Sequence, residues 1–390
     1  MGRSCFFEEE CFLDKRIYLL TTLTFIVGLV ELIVGGILPL IAGDLNISLG
    51  QAGLLISAFS FSFAIAGPLL LSLTAKVERK KLIMIVLLLF IFSNGIAVFS
   101  TSLTVLLVSR VLSASGAALL VSLCLTIASQ ISSEANRSRA IGTVLMGVSA
   151  SLVLGVPLGL FLGNEWGWRA PFIFIVIVTF ILMILIHFTL NKIEPRPYVP
   201  LRTQLRALGQ PKIFLVHSVS ILFFIGHLTL YGYLTPFLQS TLQIEGNTIS
   251  IMYLLFGLAA ICGSWFGGFA SDRFGNRKTM TIALAFFSLV LFLIPLFTHN
   301  GIWLIPLLML WNFLSWTITP AIQGHLVASA PKTSDIQQSI NNSATHVGMA
   351  IGSVVGGITI DQFIVEMNAT IGGAFAALAL IVVIIALKIK

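Results

Sequence analysis

The chain has 390 residues, 57% of them hydrophobic and only 9% charged, with a formal net charge of +7. Soluble domains carry about 25% charged residues, so the composition excludes a water-solvated globule and points to a polytopic protein solvated by lipid. Cys5, Cys11, Cys124 and Cys262 show neither disulfide nor ligand spacing and read as small core residues or free thiols.

The first apolar run starts at Ile17, after the acidic Glu8, Glu9, Glu10 and Asp14, and has no small-residue cleavage site. It reads as a spanning helix, not a signal peptide. Runs of about 20 apolar residues then follow along the whole chain. They lie near 17–41, 51–73, 81–100, 103–131, 139–163, 170–189, 212–238, 248–270, 279–298, 301–328, 336–361 and 368–387. Between the sixth and seventh lies "NKIEPRPYVPLRTQLRALGQPK", with four prolines and five basic residues, which reads as a linker. The expected division is therefore 1–190, a six-helix half; 191–211, a linker; and 212–390, a second half. Of the 22 Lys and Arg, 20 fall in the termini and the even-numbered loops, Arg169 falls on the opposite side and Arg110 within a span. The positive-inside rule then places both termini in the cytoplasm. The basic balance is a matter of topology and implies no nucleic-acid partner.

The candidate residues can be taken in chain order. "VGLVELIVGGILP", Val27 to Pro39, holds one charge, Glu31. A carboxylate in hydrocarbon costs roughly 3 kcal/mol by insertion scales, and no packing requirement explains it. Glu31 and Arg110 each lie about eight residues from the outer end of their span, so both sit about 12 Å deep. Such a pair is either permanent and structural or a switch, neutral when dry and charged when Arg110 or water reaches the carboxyl. Gly147, Gly155 and Gly159 fall close to one face of the fifth run, and Pro157 frees a carbonyl there and can kink the helix. His227 and Tyr231, at i and i+4, offer an imidazole, a phenol and aromatic surface suited to a planar heterocycle. Tyr233, Trp316, Gln323, Asn341, Asn342 and His346 are further lining candidates, with interhelical hydrogen bonds as the alternative. His187, His217 and His299 fall at span ends and read as interfacial.

Gly35 and Gly232, Pro39 and Pro236, Gly155 and Gly352, and Gly159 and Gly356 all differ by 197 positions, without a gap across five spans. A duplicated six-span unit accounts for this common register. "GGFASDRFGNRK", "RVLSASGAA" and "GVSASLVLGVPLG" resemble the loop, fourth-span and fifth-span signatures of the major facilitator superfamily, the last of the drug:proton antiporter type. "GHLTLYGYLTPF" and "DIQQSINNSA" resemble bacterial purine base/nucleoside efflux pumps and arabinose-efflux-like permeases.

The resemblance implies an all-α fold of twelve transmembrane helices in two pseudo-symmetric halves, with a central site reached by alternating access. It also implies proton-coupled export of a small molecule, purine bases or nucleosides first, with drugs, sugars, a metal-chelating metabolite or proton-driven uptake as alternatives. Glu31 and Arg110 would couple protons, and the glycine–proline helix would seal against proton leak. In the loop, Gly268, Asp272, Arg273, Gly275 and Arg277 would form a latch, with Gly267 and Gly268 allowing close helix approach. The first-half loop departs from the pattern, with Ala75 in place of the aspartate, so a latch there falls to Glu78 with Lys76 or Arg79. No metalloprotease, hydrolase or nucleotide-binding motif occurs, so neither an enzyme nor an ATP-driven pump is expected. The expected energy source is the proton gradient, with no cofactor or metal. The expected setting is a monomer in the bilayer of a bacterial cytoplasmic membrane.

Overall fold

The computed structural model describes residues 14–134, 136–195 and 210–388; Cys5, Cys11 and the linker around Arg196 lie outside the described residues. Among the described residues, twelve helices are long and apolar enough to cross a membrane. In order, spans one to six are Lys15–Leu45, Leu49–Leu73, Arg79–Val98, Leu103–Ile131, Arg137–Trp166 and Ala170–Thr189. Spans seven to twelve are Ile213–Tyr231, Asn247–Phe274, Asn276–Phe297, Gly301–Ser329, Ile336–Gln362 and Met367–Lys388. Among the described residues there is no strand. Helices are the solution here because every backbone group must find a partner inside its own segment when no water is available. Their starts are capped where turn residues permit: Ser48 and Gln51 form a reciprocal capping box on span two, and Ser102 caps span four.

Large apolar side chains such as Phe92, Phe180, Ile181 and Trp265 point outward. Trp166 and Trp303 are exposed near span ends, as expected of residues at a lipid–water boundary. The helix bounds repeat as the sequence does. Span two moved by 197 positions covers 246–270, against Asn247–Phe274, and span six covers 367–386, against Met367–Lys388. The periodicity therefore extends to the sixth span.

One equivalent pair differs. Span one is continuous, whereas its counterpart ends at Tyr231 and resumes as the short helix Leu234–Leu242. The break falls where the repeat-related glycines meet, a Cβ on Gly35 lying 3.5 Å from the Gly232 carbonyl oxygen. Thr235 Oγ1, just beyond the break, donates to Gly36 O at 2.8 Å. Span five is also interrupted: Ser151–Gly155 is a π-helical turn just before Pro157, whose missing N–H cannot serve the carbonyl four residues back.

Loops at the end where span one begins carry Lys76, Arg79, Arg137 and Arg277, and this is called the basic end; the other is the far end. The halves join most closely toward the far end. Span two lies along span eleven, with Ser57 Oγ donating to Ala350 O at 2.9 Å and Ser353 Oγ to Gly53 O at 2.9 Å. At the rim, Asp361 accepts from Ser48 Oγ at 2.7 Å and Gly50 N at 3.0 Å, placing a carboxylate at the N-terminus of span two. Asn247 Nδ2 donates to Glu165 Oε1 at 2.9 Å. Among the described residues, spans four and ten make no comparable packing against each other.

Candidate functional site

Span one is buried along most of its length, with Val30, Ile33 and Val34 wholly enclosed, yet the Glu31 side chain keeps 17% exposure. A mid-helix carboxylate at the seam between halves is thus not fully enclosed by its neighbours. Its Oε1 faces His346 Nδ1 of span eleven at 3.7 Å, too long for a hydrogen bond. The His346 ring stacks on Phe63 of span two, centroids 4.0 Å apart. Arg110 reaches the level of Glu31 in the bundle. Its Nη1 donates to Val30 O at 2.9 Å, the carbonyl peptide-bonded to Glu31, and its Nε donates to Leu55 O at 3.4 Å. The guanidinium lies 4.2 Å over Phe59, and Nη2 has no partner. Among the described residues no ion pair within 4 Å joins Glu31 to Arg110. The two share a depth without being paired.

Of the lining candidates, His227 and Tyr231 do form one face, stacked with centroids 5.2 Å apart. Trp311 of span ten completes it, 4.9 Å from His227, with Phe223, Phe287 and Tyr253 around them. His227 Nδ1 and Trp311 Nε1 are buried without partners. Trp311 went unnoticed in the sequence because a tryptophan in an apolar run is ordinarily core, and only the neighbouring His227 distinguishes it.

The other candidates scatter. Asn341 accepts from Ser220 Oγ at 2.6 Å and Tyr233 donates to Ser353 O at 2.8 Å, so both tie helices together. Trp316 packs against the core, while Gln323 and Asn342 are exposed. His217 is not interfacial: it is buried, its Nε2 2.9 Å from Gln337 Oε1.

The span-five glycines bear on span one as their spacing implies. A Cβ on Gly159 would come within 2.8 Å of Ile33 Cγ1, and one on Gly155 within 3.4 Å of Leu29 Cδ1. Gly147 meets the backbone of Thr21, and Thr24 Oγ1 donates to Val144 O at 2.7 Å beside it.

Span eight runs on to Phe274, so the first part of the loop signature is helical: Gly267 packs on Thr317, but nothing lies within 4 Å of a Cβ on Gly268, and only the first glycine permits close approach. Gly275 turns the chain at φ 86°, and Asp272, Arg273 and Arg277 are exposed. Among the described residues Asp272 makes no ion pair within 4 Å. The first-half loop differs from the expectation. Glu78 accepts from Lys80 N and Lys81 N, both at 2.8 Å, capping span three, and from Ile193 N at 2.9 Å. Partial burial pushes its carboxyl up, but the three amides outweigh this and hold it below the usual carboxylate range. Its oxygens are already committed to backbone. Arg169, the one Lys or Arg of the far-end loops among the described residues, donates to Asp44 at 2.8 Å, beside Trp168 Nε1 at 2.9 Å. No group of three or more His, Cys, Asp or Glu among the described residues could hold a metal.

Two overlapping stretches, residues 20–333 and 218–390, match the family model described as Major Facilitator Superfamily. The chain belongs to the major facilitator superfamily. Relatives in that superfamily include a Bacillus subtilis (strain 168) protein named "Uncharacterized MFS-type transporter YbcL", 36% identical over 366 residues and 94% of each chain. A Helicobacter pylori (strain J99) protein named "Probable sugar efflux transporter" is 28% identical over 94% of this chain and 93% of its own. The fold is shared with solved major facilitator transporters. A bacterial homologue of the lysosomal transporter Spinster, in an inward-facing and unoccupied conformation, superposes with TM-score 0.78 at 15% identity, over 95% and 96% of the two chains. The nucleoside transporter NupG gives 0.76 at 14%, over 95% and 100%. The family and the fold are those of membrane transporters, not enzymes.

Proposed function

We propose that the chain is a proton-driven antiporter that exports a small molecule across a bacterial cytoplasmic membrane. The observation that carries this reading is Glu31, a mid-helix carboxylate left incompletely enclosed, facing His346 of one half and adjoining the peptide carbonyl held by Arg110 of the other. A group that takes up a proton on one face of a membrane and loses it on the other must sit where the halves meet. The sidedness of Lys and Arg assigns the basic end, both termini included, to the cytoplasm. The far-end closure is then the outer gate, and the state is inward-facing. Residues 1–190 and 212–390 rock as two halves about the Gly35–Gly232 contact, and one chain suffices. Asp272 with Arg273 and Arg277 latches the cytoplasmic side in the opposite state, in keeping with its exposure here. Span five, packed on span one through Gly147, Gly155 and Gly159 with Pro157 behind the π turn, seals the cavity against proton leak.

Purine bases and nucleosides are the first substrate class. The face of His227, Tyr231 and Trp311 supplies stacking surface, and His227 Nδ1 and Trp311 Nε1 supply unmet hydrogen-bonding capacity for a heterocycle edge. Sugars are the second reading, favoured by the sugar-efflux relatives, since a sugar ring also stacks on tryptophan. Export itself is supported by those relatives.

The test uses proteoliposomes with an imposed pH gradient and a panel of purines, nucleosides and sugars. Glu31→Gln is expected to exchange substrate passively while losing accumulation driven by the gradient. Undiminished uphill transport by this variant would remove the carboxylate from the coupling step.

A further inference from the structure

We infer that Glu31 exchanges partners between the halves as it loses its proton, bonding His346 Nδ1 when protonated and Arg110 Nη2 when ionised. The inference rests on the proton-coupling reading above and adds the second half's part in it. Two buried nitrogens beside Glu31 lack hydrogen-bond partners, Arg110 Nη2 in its own half and His346 Nδ1 in the other. Buried polar atoms are seldom left unsatisfied, and those that are need a reason. A single side chain that faces the imidazole at 3.7 Å and follows the peptide carbonyl gripped by the guanidinium, able to satisfy only one at a time, supplies that reason.

The surroundings narrow the choice. Span two presents Phe59 and Phe63 here, under the guanidinium and the imidazole respectively. Span four presents Arg110, already anchored by Nη1 and Nε to the carbonyls of Val30 and Leu55. Span five meets span one through Ser151 at Gly28 and Leu160 at Gly36, both uncharged. The end of span seven brings the Tyr231 carbonyl to Gly35, and the segment after it brings the Thr235 hydroxyl to Gly36 O, a turn beyond Glu31. Span eleven contributes His346, the second-half titratable group paired with Glu31, at 3.7 Å.

The protonated carboxyl donates O–H to Nδ1 of a neutral imidazole carrying its hydrogen on Nε2. An approach of about 1 Å converts the contact into a bond, and no covalent bond breaks. When the proton leaves to cavity water, the carboxylate would face a nitrogen lone pair. It turns instead to the free N–H of Arg110, a charge-assisted bond inside its own half. The link to span eleven is then gone. Because His346 travels with the second half, the protonated state favours the closed far end and the ionised state releases it. Phe63 keeps the imidazole in place to meet the carboxyl again.

The experiment reads the distance between spin labels at Phe99→Cys and Phe363→Cys, exposed far-end positions in opposite halves, with the native cysteines replaced by serine. In nanodiscs, the closed-to-open ratio of the parent is expected to rise as pH falls, by up to about tenfold per unit for one proton. His346→Phe keeps the stack on Phe63 and removes the nitrogen, and is expected to abolish that response. His346→Gln retains a carbonyl acceptor and is expected to restore part of it. If Glu31→Gln abolishes the response while His346→Phe retains it, the partner exchange is wrong and the coupling role of Glu31 stands. If Glu31→Gln itself responds as the parent does, both readings fall. An infrared difference spectrum gives a second readout. The Glu31 carboxylic C=O band, assigned by its loss in Glu31→Gln, should move to higher wavenumber in His346→Phe; an unmoved band overturns the inference.

Discussion

His227 Nδ1 and Trp311 Nε1 lie among aromatic rings without hydrogen-bond partners, although Tyr231 and Phe223 cover the imidazole faces. An unmet buried donor or acceptor costs about 1–3 kcal/mol, a penalty that an incoming ligand edge removes. Stacking and edge bonding should therefore separate on mutation. Tyr231→Phe retains the ring and is expected to bind substrate within about twofold of the parent. Tyr231→Ala loses a stacked pair worth about 1 kcal/mol beyond its area and should weaken binding at least fivefold. His227→Ala should alter the preference among purines with expression unchanged. Binding of the purine panel to detergent-purified variants, by calorimetry, measures all three, and parent-like values throughout would take this face out of the site.

Span five shows how an element carries sequence pattern into packing. Its glycines repeat on one face because span one must come close there, and Ile33 occupies the space where a Gly159 side chain would stand. Gly159→Val forces Ile33 off its rotamer or the helices apart. Overpacking of this kind costs about 1–3 kcal/mol, so the variant should melt several degrees lower, by fluorescence-detected size exclusion. Gly142, with nothing within 4 Å of its Cβ position, is the matched control, and Gly142→Val should not lower the melting temperature. Equal shifts at the two sites would mean that the glycine face is not what holds spans one and five together. The same element shows what periodicity hides. The π turn at Ser151–Gly155 follows from Pro157 acting on a carbonyl one turn back, and no apolar pattern records that local unwinding.

For the whole molecule the first prediction is sidedness. If the basic end faces the cytoplasm, Glu165→Cys, Glu245→Cys and Glu366→Cys should react with an impermeant thiol reagent in intact cells. Glu194→Cys should react only after permeabilisation. The reverse pattern would invert the assignment and turn the closed far end into an inner gate.

Composition and period sufficed for much of this protein. Twelve apolar runs can be satisfied in lipid only as helices, and a gapless offset of 197 positions implies that the second half repeats the first. The depth of Glu31 and Arg110 was likewise legible, since helix rise converts residue number directly into height. Which side chains face each other at that height was not, because it depends on helix rotation and on how the halves meet. Tertiary packing gave Glu31 a neighbour from span eleven, His346, whose repeat counterpart is Ser149, and turned Arg110 toward the carbonyls of Val30 and Leu55. It bound Asn341 to Ser220 and Glu78 to three backbone amides, and brought Trp311 to His227 across 84 positions of chain. Helix formation is local and repeats along the chain, so the sequence declares it. A contact between halves is a property of two surfaces meeting, and only the assembled bundle determines which residues share it.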